Sequence, residues 1–469
     1  MQTLTSPCFE KLSSTTDLLP LHQQWQDDFP FYFQSAISNP GSYQNARYDI
    51  LFAFPQESLT LEKSGILNGK NLDNACNDFL SELDFLWRNE TEKIKADPQL
   101  DVPFSGGWFV YLGYELAGQI EPRLNLPESL DDIPIAMACR IPAAIINDHL
   151  LGQTILVAEN QQYLTRLKDK YTNISNQFNL SSHSGLNQQP EITEEDEQRY
   201  LDSVHQVKQY IVEGDVFQVN LSRAWHTQVN DSLDSSYIYS NLRKTNPAPF
   251  AGIAQIRNTS IISSSPERLV KVKNRIAETR PIAGTRPRSH SEKDDSALKQ
   301  ELISHPKERS EHIMLIDLER NDLGRVCEPG TIKVTELMTL ESYAHVHHIV
   351  SNIQGELRDD VTPGKVLRAV FPGGTITGCP KERCMAIIAE LEGEGRGVYT
   401  GSMGYINHNG DLDFNILIRT ITKSDHNIHI RAGAGLVIDS DAQHELMETR
   451  HKARGMLLAL KQSTENETL

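Results

Sequence analysis

Cysteine is scarce and scattered in this sequence. Six cysteines occur in 469 residues, and no two of them form a Cys-x-x-Cys pair. A disulfide framework needs a dense set of cysteines, and a zinc-ribbon site needs them in closely spaced pairs. The pattern excludes both classes and predicts a reduced, cytoplasmic protein.

Long apolar runs and an excess of positive charge are also missing. No apolar run approaches the ~18–20 residues that span a bilayer, and the first residues lack the basic and apolar pattern of a secretory signal. Lys and Arg total 45 against 63 Asp and Glu, which gives a net charge of −18. Nucleic acids and anionic membranes are bound by clustered cations. We therefore expect no nucleic-acid or membrane partner, whereas a small anionic substrate needs only a local basic pocket.

Polar, Ser/Asn/Gln-rich sequence interrupts the chain once. This stretch, residues 172–194, is predicted to be a linker or loop. It separates an N-terminal region (1–171), expected to pack on the rest, from a C-terminal catalytic region (195–469). A second exposed loop is predicted at 288–299.

Helical and strand-like patterns are mixed without strict alternation. Because regular βαβ order is missing, they favour an α+β fold built on antiparallel sheets. Helices are predicted over 74–89, 194–215, 306–326 and 440–462. Strands are predicted over 48–54, 106–116 and 216–229, with two more over 260–279 joined by a turn near Lys273–Asn274, and a hairpin over 397–421 around the Asn-Gly turn at 409–410.

Two pairs of acidic residues are spaced three apart on predicted helices. Glu308 and Glu311 form one pair, and Glu445 and Glu448 form the other. This spacing places both carboxylates of a pair on one helix face. Such oxygens suit Mg2+, although a solvated helix face has the same pattern.

A glycine-rich segment, "FPGGTITGCPKER" (371–383), precedes the helix expected from Lys381. Its successive backbone N–H groups can form an anion-binding nest, although an ordinary turn before a helix looks the same. Glu267, in "SSSPERL", can serve as a buried proton donor or as a simple surface acid.

These and further segments together resemble the chorismate-utilising enzyme family. The motifs, in the family's order, are "GDVFQVNLSR", "SPERL", "RPIAGTRPR", "ERSEHIMLIDLERNDLGRV", "HHIVS", "PGGTITGCPK", "YTGSMGY", "ILIRT", "AGAGLVIDSD" and "ELMETRHKA". The resemblance implies two β-sheets packed together with helices outside, and a Mg2+-dependent site for chorismate.

The resemblance also implies roles for individual residues. Glu267 corresponds to the general acid and His348 to a proton-transfer group, with Thr285 close to the reacting ring. Glu308, Glu311, Glu445 and Glu448 correspond to the metal helices. The residues that would contact the substrate are Gln218, Ala283, Gly284, Gly373, Gly374, Thr375, Tyr399, Arg419, Gly433, Ala434, Gly435 and Lys452.

The nucleophile is inferred from Gln218. Family members that add water carry a lysine base at this position, and an amide cannot deprotonate water, so ammonia is expected. None of the six cysteines lies in a Gly-x-Cys-x-Gly elbow. The ammonia is therefore expected from a separate glutamine amidotransferase subunit, in a heterodimer, or from free ammonium.

Two products are open to an ammonia-using member. Segments 30–55 and 246–250 resemble the aminodeoxychorismate synthase branch, which makes 4-amino-4-deoxychorismate for 4-aminobenzoate and folate. Ala283 does not fit the aminodeoxychorismate synthase branch, because many of its members have a lysine at this position as a candidate nucleophile. The "PIAGT" sequence is that of the anthranilate synthase branch, which makes anthranilate and pyruvate. The resemblance also indicates a tryptophan pocket formed by Ser35, Arg47, Tyr48, Pro249 and Phe250.

Overall fold

Two large antiparallel sheets form the centre of the protein. The computed structural model describes residues 6–36, 47–69, 78–91, 100–173, 190–229, 233–289, 291–342 and 346–461. Strands and helices are numbered here along the chain.

The first sheet contains twelve strands within these ranges. In their order across the sheet they are β1 (Cys8–Leu12), β9 (Gln153–Ala158), β8 (Ala143–Asp148), β3 (Tyr48–Ala53), β2 (Phe31–Gln34), β12 (Phe250–Ile256), β13 (Thr259–Ser265), β22 (Thr420–Ser424), β23 (Asn427–Leu436), β11 (Gln218–Gln228) and β10 (Thr193–Glu194), with β19 (Gly378–Cys379) paired to β11.

The second sheet has eleven strands in the described ranges. In order they are β16 (Ile282–Pro287), β18 (Val346–Glu356), β15 (Ile276–Thr279), β14 (Arg268–Lys273), β21 (Leu412–Asn415), β20 (Ser402–Asn407), β6 (Gly107–Leu112), β7 (Ala136–Ile141), β4 (Ser58–Leu61) and β5 (Leu67–Asn68), with β17 (Lys333–Ser342) paired to β18.

The α-helices lie on the outer faces of the sheets. They are α1 (Leu19–Gln24), α2 (Phe79–Thr91), α3 (Ala117–Ile120), α4 (Gln161–Thr172), α5 (Glu197–Glu213), α6 (Ser235–Thr245), α7 (Glu292–Ser304), α8 (Pro306–Gly324), α9 (Pro363–Val370), α10 (Lys381–Glu392) and α11 (Ala442–Ala459). None of these helices combines the length and apolarity needed to cross a bilayer.

Apolar layers within the described residues hold the sheets and helices together, and one of them packs α5 and α10 on β11 and β23. The central layer lies between the sheets, where the ring of Phe31 on β2 stacks on Phe109 of β6 with 3.7 Å between centroids. Outer layers join the first sheet to α6 and α11, and the second sheet to α2, α8 and α9. Burial of these apolar faces is the main favourable term in folding. The predicted α+β architecture of two packed sheets with outer helices is confirmed.

Several local predictions are confirmed. Helix α5 ends at Gly214, whose φ of +83° is the left-handed cap that glycine adopts without a Cβ penalty. The Asn409–Gly410 turn connects β20 to β21, and α8 and α11 lie inside their predicted ranges.

The loop predicted at 288–299 is wrong. Helix α7 begins there, and the Ser291 hydroxyl accepts a hydrogen bond from the Asp294 amide at 3.5 Å. Acidic residues stabilise a helix N-terminus through the helix dipole. The acidic residues that suggested a loop therefore belong to the first turn of α7. Segment 260–279 is also divided differently: it covers most of β13, β14 and β15, because Pro266 interrupts the first strand.

Both sheets combine strands from the two sides of the polar segment. Strand β2 pairs with β12, and β6 pairs with β20. The N-terminal region therefore supplies parts of the same two sheets as the C-terminal region. Residues 174–189 of the predicted linker lie outside the described residues, and its end at Thr193–Glu194 forms β10.

Candidate active site

Glu267 is a buried carboxyl group between β13 and β14. Glu267 is 6% exposed. Burial raises the pKa of Glu267 to about 7, and interactions with Thr375 and the Ile282 backbone offset part of that rise. Near neutral pH a large fraction of this group is therefore protonated, as a general acid must be.

His348 is a buried imidazole on β18. Burial, followed by the nearby positive charge of Arg419, lowers the pKa of His348 to about 4. The ring is therefore neutral at pH 7 and can accept a proton. Its partner across the ladder is Thr285 on β16. The Thr285 side chain lies outside what the structure describes.

The opposite pKa shifts make Glu267 and His348 candidates for complementary roles in proton transfer. Glu267 keeps its proton up to about pH 7, whereas His348 loses its proton above about pH 4. Environments that move two pKa values apart are typical of an acid and a base in one active site.

We expect the pH profile of kcat/KM to fall on the alkaline side. If Glu267 acts as a general acid, it must carry a proton, and its pKa is about 7. The value of kcat/KM should then fall about tenfold per pH unit above that pH. Initial rates between pH 6 and 9, at saturating metal and a fixed concentration of free ammonia, measure this limb. A flat profile through pH 8 would contradict the assignment of Glu267.

Arg419 and Tyr399 place a cation and a phenol near these groups. Arg419 is held in left-handed backbone with a φ of +52°, a strained conformation for a side chain other than glycine. Its Nη1 donates a hydrogen bond to Asn246 Oδ1 at 3.3 Å. Burial lowers the pKa of Arg419, while Tyr399 and Glu448 raise it. A buried guanidinium is well suited to bind a carboxylate in two-point geometry.

Strand β23 passes close to several of these side chains. A Cβ on Gly435 would lie 2.5 Å from Gln218 Nε2, and a Cβ on Gly433 would lie 2.8 Å from the Tyr399 hydroxyl. Lys452 Nζ donates a hydrogen bond to the Gly433 carbonyl at 2.9 Å. Ala434, between the two glycines, is fully buried. Glycines at 433 and 435 thus make room for polar groups beside the strand.

The glycine-rich segment lies next to Glu267. Gly374 begins a short 3-10 turn that ends at Ile376, and Thr375 in this turn lowers the pKa of the nearby Glu267. Gly373 is packed tightly, since a Cβ there would lie 2.8 Å from Ile416 Cδ1. The segment therefore supports the proton donor, and helix α10 begins at Lys381 as the sequence predicts.

Strand β16 carries Ala283 and Gly284 at the N-terminal end of α8. The ladder with β18 shifts register between Ala283 and Thr285. Gly284 has a φ of +71°, and a Cβ on it would lie 2.8 Å from Glu308 Oε2. Ala283 is 8% exposed, so its methyl group contributes to a wall and supplies no nucleophile.

The four predicted metal ligands are placed on two helices. Glu445 and Glu448 of α11 lie together with His444, with one ligand atom of each within 4.8 Å of the others. Glu308 and Glu311 lie near the start of α8, and Glu308 Oε1 accepts a hydrogen bond from Arg286 at 3.2 Å. Glu308 and Glu311 are not part of the close group formed by His444, Glu445 and Glu448. Carboxylate oxygens of this kind fit Mg2+.

Sequence reasoning missed a second buried acid beside the glycine-rich segment. Glu319 on α8 is 7% exposed, and its Oε1 would lie 3.6 Å from a Cβ on Gly374. Burial, and then Asp322, raises the pKa of Glu319 to about 8, and Glu267 contributes as well. Asp322 accepts a hydrogen bond from Lys381 at 2.6 Å. The only signal in the sequence was an acid amid the apolar positions of "IDLERNDL".

A separate cavity of about 250 Å³ contacts most of the predicted tryptophan-binding residues. Arg47, Tyr48, Pro249 and Phe250 line it, whereas Ser35 does not. The Arg47 guanidinium lies 4.6 Å from the Tyr48 ring and pairs with Asp148 at 2.7 Å.

Comparison with known proteins identifies the class. A family model described as chorismate binding enzyme matches residues 40–458, so the chain belongs to this family and is a chorismate-utilising enzyme.

Relatives in two branches of the family are similar to this chain. The aminodeoxychorismate synthase component 1 of Bacillus subtilis is 50% identical over 269 residues, which are 57% of each protein. The anthranilate synthase component 1 of Acinetobacter calcoaceticus is 35% identical and covers 97% of this chain and 95% of its own length. The crystal structure of anthranilate synthase component I from Streptococcus pneumoniae has a TM-score of 0.76 and 31% identity, covering 88% of this chain and 92% of that one.

Proposed function

We propose that this enzyme joins ammonia to chorismate and releases 4-amino-4-deoxychorismate. The observation that carries this proposal is the 50% identity to an aminodeoxychorismate synthase component 1 over 57% of this chain. The 35% identity to the anthranilate synthase of Acinetobacter extends over 97% of the chain, so the two values describe different lengths of sequence. The motifs at 30–55 and 246–250 support the same branch. Gln218, which lies beside Gly435, is not a base for water.

In this proposal the buried groups divide the proton transfers. Arg419 and Tyr399 hold substrate carboxylates. Glu267 gives its proton to the ring hydroxyl, which leaves as water when its C–O bond breaks. Ammonia supplies the electron pair of the new C–N bond, and neutral His348 accepts the proton that the added nitrogen releases.

A magnesium ion is part of the proposal. Glu311 and Glu448 would hold it, with Glu308 and Glu445 on the same two helices. When bound, Mg2+ would supply positive charge that offsets the substrate carboxylates.

Anthranilate is the second candidate product, and Ala283 favours it. Without a lysine at this position the enzyme cannot form a covalent adduct there. Ammonia itself would then make the first attack on the ring, in place of the lysine. The anthranilate synthase relatives, which match nearly the whole chain, support the same alternative.

Two further partners belong to the proposal. A separate glutamine amidotransferase subunit would release the ammonia in a heterodimer. L-Tryptophan would bind in the 250 Å³ cavity next to Arg47 and Phe250, whose volume is near the lower end of small-molecule pockets (roughly 300 Å³).

One incubation separates the two products. The purified chain is mixed with chorismate, Mg2+ and ammonium chloride, and the products are identified by mass. We expect 4-amino-4-deoxychorismate without pyruvate, and 4-aminobenzoate only after a lyase is added. Direct formation of anthranilate together with pyruvate would overturn the first candidate and establish the second.

A further inference from the structure

A small cavity lies on the outer side of Tyr399. Its volume is about 20 Å³. A cavity needs roughly 10–15 Å³ to hold one water molecule, so this one has room for a single water-sized molecule and excludes amino acids and sugars. The polar side chains that line it include Asp131, His226, Glu394, His429 and Arg431.

Two imidazole rings and one carboxylate form the part of its polar wall that carries no arginine. His226 on β11 and His429 on β23 are directly opposite in the ladder, and their rings are perpendicular with 4.7 Å between centroids. Asp131 Oδ1 lies 3.5 Å from His429 Nδ1. Asp131 is 7% exposed, and its Oδ2 accepts a hydrogen bond from the Val398 amide at 3.3 Å.

The arginines at this cavity already have acidic partners. Arg396 pairs with Glu392 at 2.6 Å, and Arg431 pairs with both Glu392 and Glu394 at 3.1 and 3.3 Å. Asp131 has the His429 imidazole beside it, and burial raises the pKa of Asp131 while His429, Lys63 and Arg431 offset part of that rise. Burial, and then His429, lowers the pKa of His226, which leaves a neutral ring with a lone pair. Carboxylate and imidazole acceptors select a ligand with several N–H donors and a positive charge.

The cavity shares a wall with the candidate active site. Tyr399 lines the cavity, and its hydroxyl faces Gly433 beside the substrate-binding residues. Thr420, another lining residue, directly follows Arg419. The cavity and the groups proposed to bind chorismate therefore share the Tyr399 side chain.

We propose that this cavity is an entry site for ammonium, where it is converted to ammonia beside the active site. Ammonium donates hydrogen bonds to Asp131, His226 and His429. It gives up one proton to solvent when neutral ammonia leaves the cavity, because the lowered pKa of His226 makes its ring too weak a base to keep that proton. The neutral molecule then passes Tyr399 to the ring of chorismate. This inference rests on the proposed amination of chorismate, and it adds the place at which the nitrogen source enters the protein.

The test measures the apparent KM for ammonium in the full chain with saturating chorismate and Mg2+. His226→Gln and His429→Gln are each expected to raise that KM about tenfold, the effect of losing one hydrogen bond to a charged ligand. The KM for chorismate should stay within about twofold, since no substrate-binding group has changed. His205→Gln, on the exposed face of α5, is the matched control and should leave both constants unchanged.

His429 is about one-quarter exposed, so His429→Gln tests the site even if His226→Gln does not fold; melting curves identify a folding defect. An unchanged ammonium KM in the folded variants would overturn the inference and leave an ordinary water cavity. Formation of anthranilate by the wild type, with a raised ammonium KM in the variants, would support the entry site while refuting the first candidate product. Failure of the wild type to form any aminated product would overturn both proposals.

Discussion

Replacing Glu267 with glutamine is expected to lower kcat by about 10²–10⁴-fold, the usual contribution of a positioned general acid. The amide has nearly the same shape as the protonated carboxyl, so the surrounding packing should persist. It cannot release a proton to the leaving hydroxyl. Steady-state rates with ammonium as the nitrogen source measure kcat and the KM for chorismate separately, and the loss should appear mainly in kcat.

Glu213→Gln provides the control for this substitution. Glu213 is exposed at the end of α5, so the same chemical change there should leave kcat unaltered. The alkaline limb near pH 7 should also disappear from the residual activity of Glu267→Gln. A kcat within threefold of wild type would remove Glu267 from the mechanism, whatever its pKa.

Replacing Glu448 with glutamine should remove most of the response to Mg2+. Electrostatic stabilisation by a metal ion contributes several kcal/mol, so turnover should fall roughly 10²–10⁴-fold. The amide keeps one oxygen but loses the negative charge that attracts the cation. Titration of Mg2+ at fixed chorismate measures activity, and calorimetry on the same variant measures metal binding without turnover.

The Glu448 side chain also accepts a hydrogen bond from Lys452 at 2.7 Å, so a loss of activity alone is not specific. Weakened Mg2+ binding in the calorimeter is the specific result. Glu382→Gln, an exposed acid on α10, should bind Mg2+ as wild type does. Wild-type affinity in Glu448→Gln would contradict its assignment as a metal ligand.

Local signals predicted five of the eleven α-helices that the structure describes, and several of its strands. The cap at Gly214 marks the end of α5 because its left-handed backbone favours glycine, and the Asn409–Gly410 turn fixes a hairpin for a similar reason. The same rules were available for α7, whose Ser291 cap and acidic first turn were interpreted as a loop because the segment is strongly polar. Polarity describes exposure, and exposure does not distinguish a surface helix from a loop.

Residues brought together by distant strands could not be found in this way. His226 and His429 are opposite each other only because β11 pairs with β23, and neither residue has a neighbour in sequence that suggests a site. Glu319 was hidden for another reason: its burial comes from packing against the segment at Gly374. The candidate catalytic groups were named because the family motifs specify them residue by residue, whereas the environments that shift their pKa values needed the fold.

The interleaving of early and late strands also governs when the protein can fold during its synthesis. Strand β6 reaches its partner β20 only after residues 402–407 have left the ribosome, because Gly107 pairs with Asn407. Domains usually fold as units during translation, but here the first third of the chain emerges with one edge of each sheet incomplete. Pairing across such sequence separation is slow and exposes strand edges. The edges that β2 and β6 present to the late strands therefore stay unpaired until those strands have been synthesised.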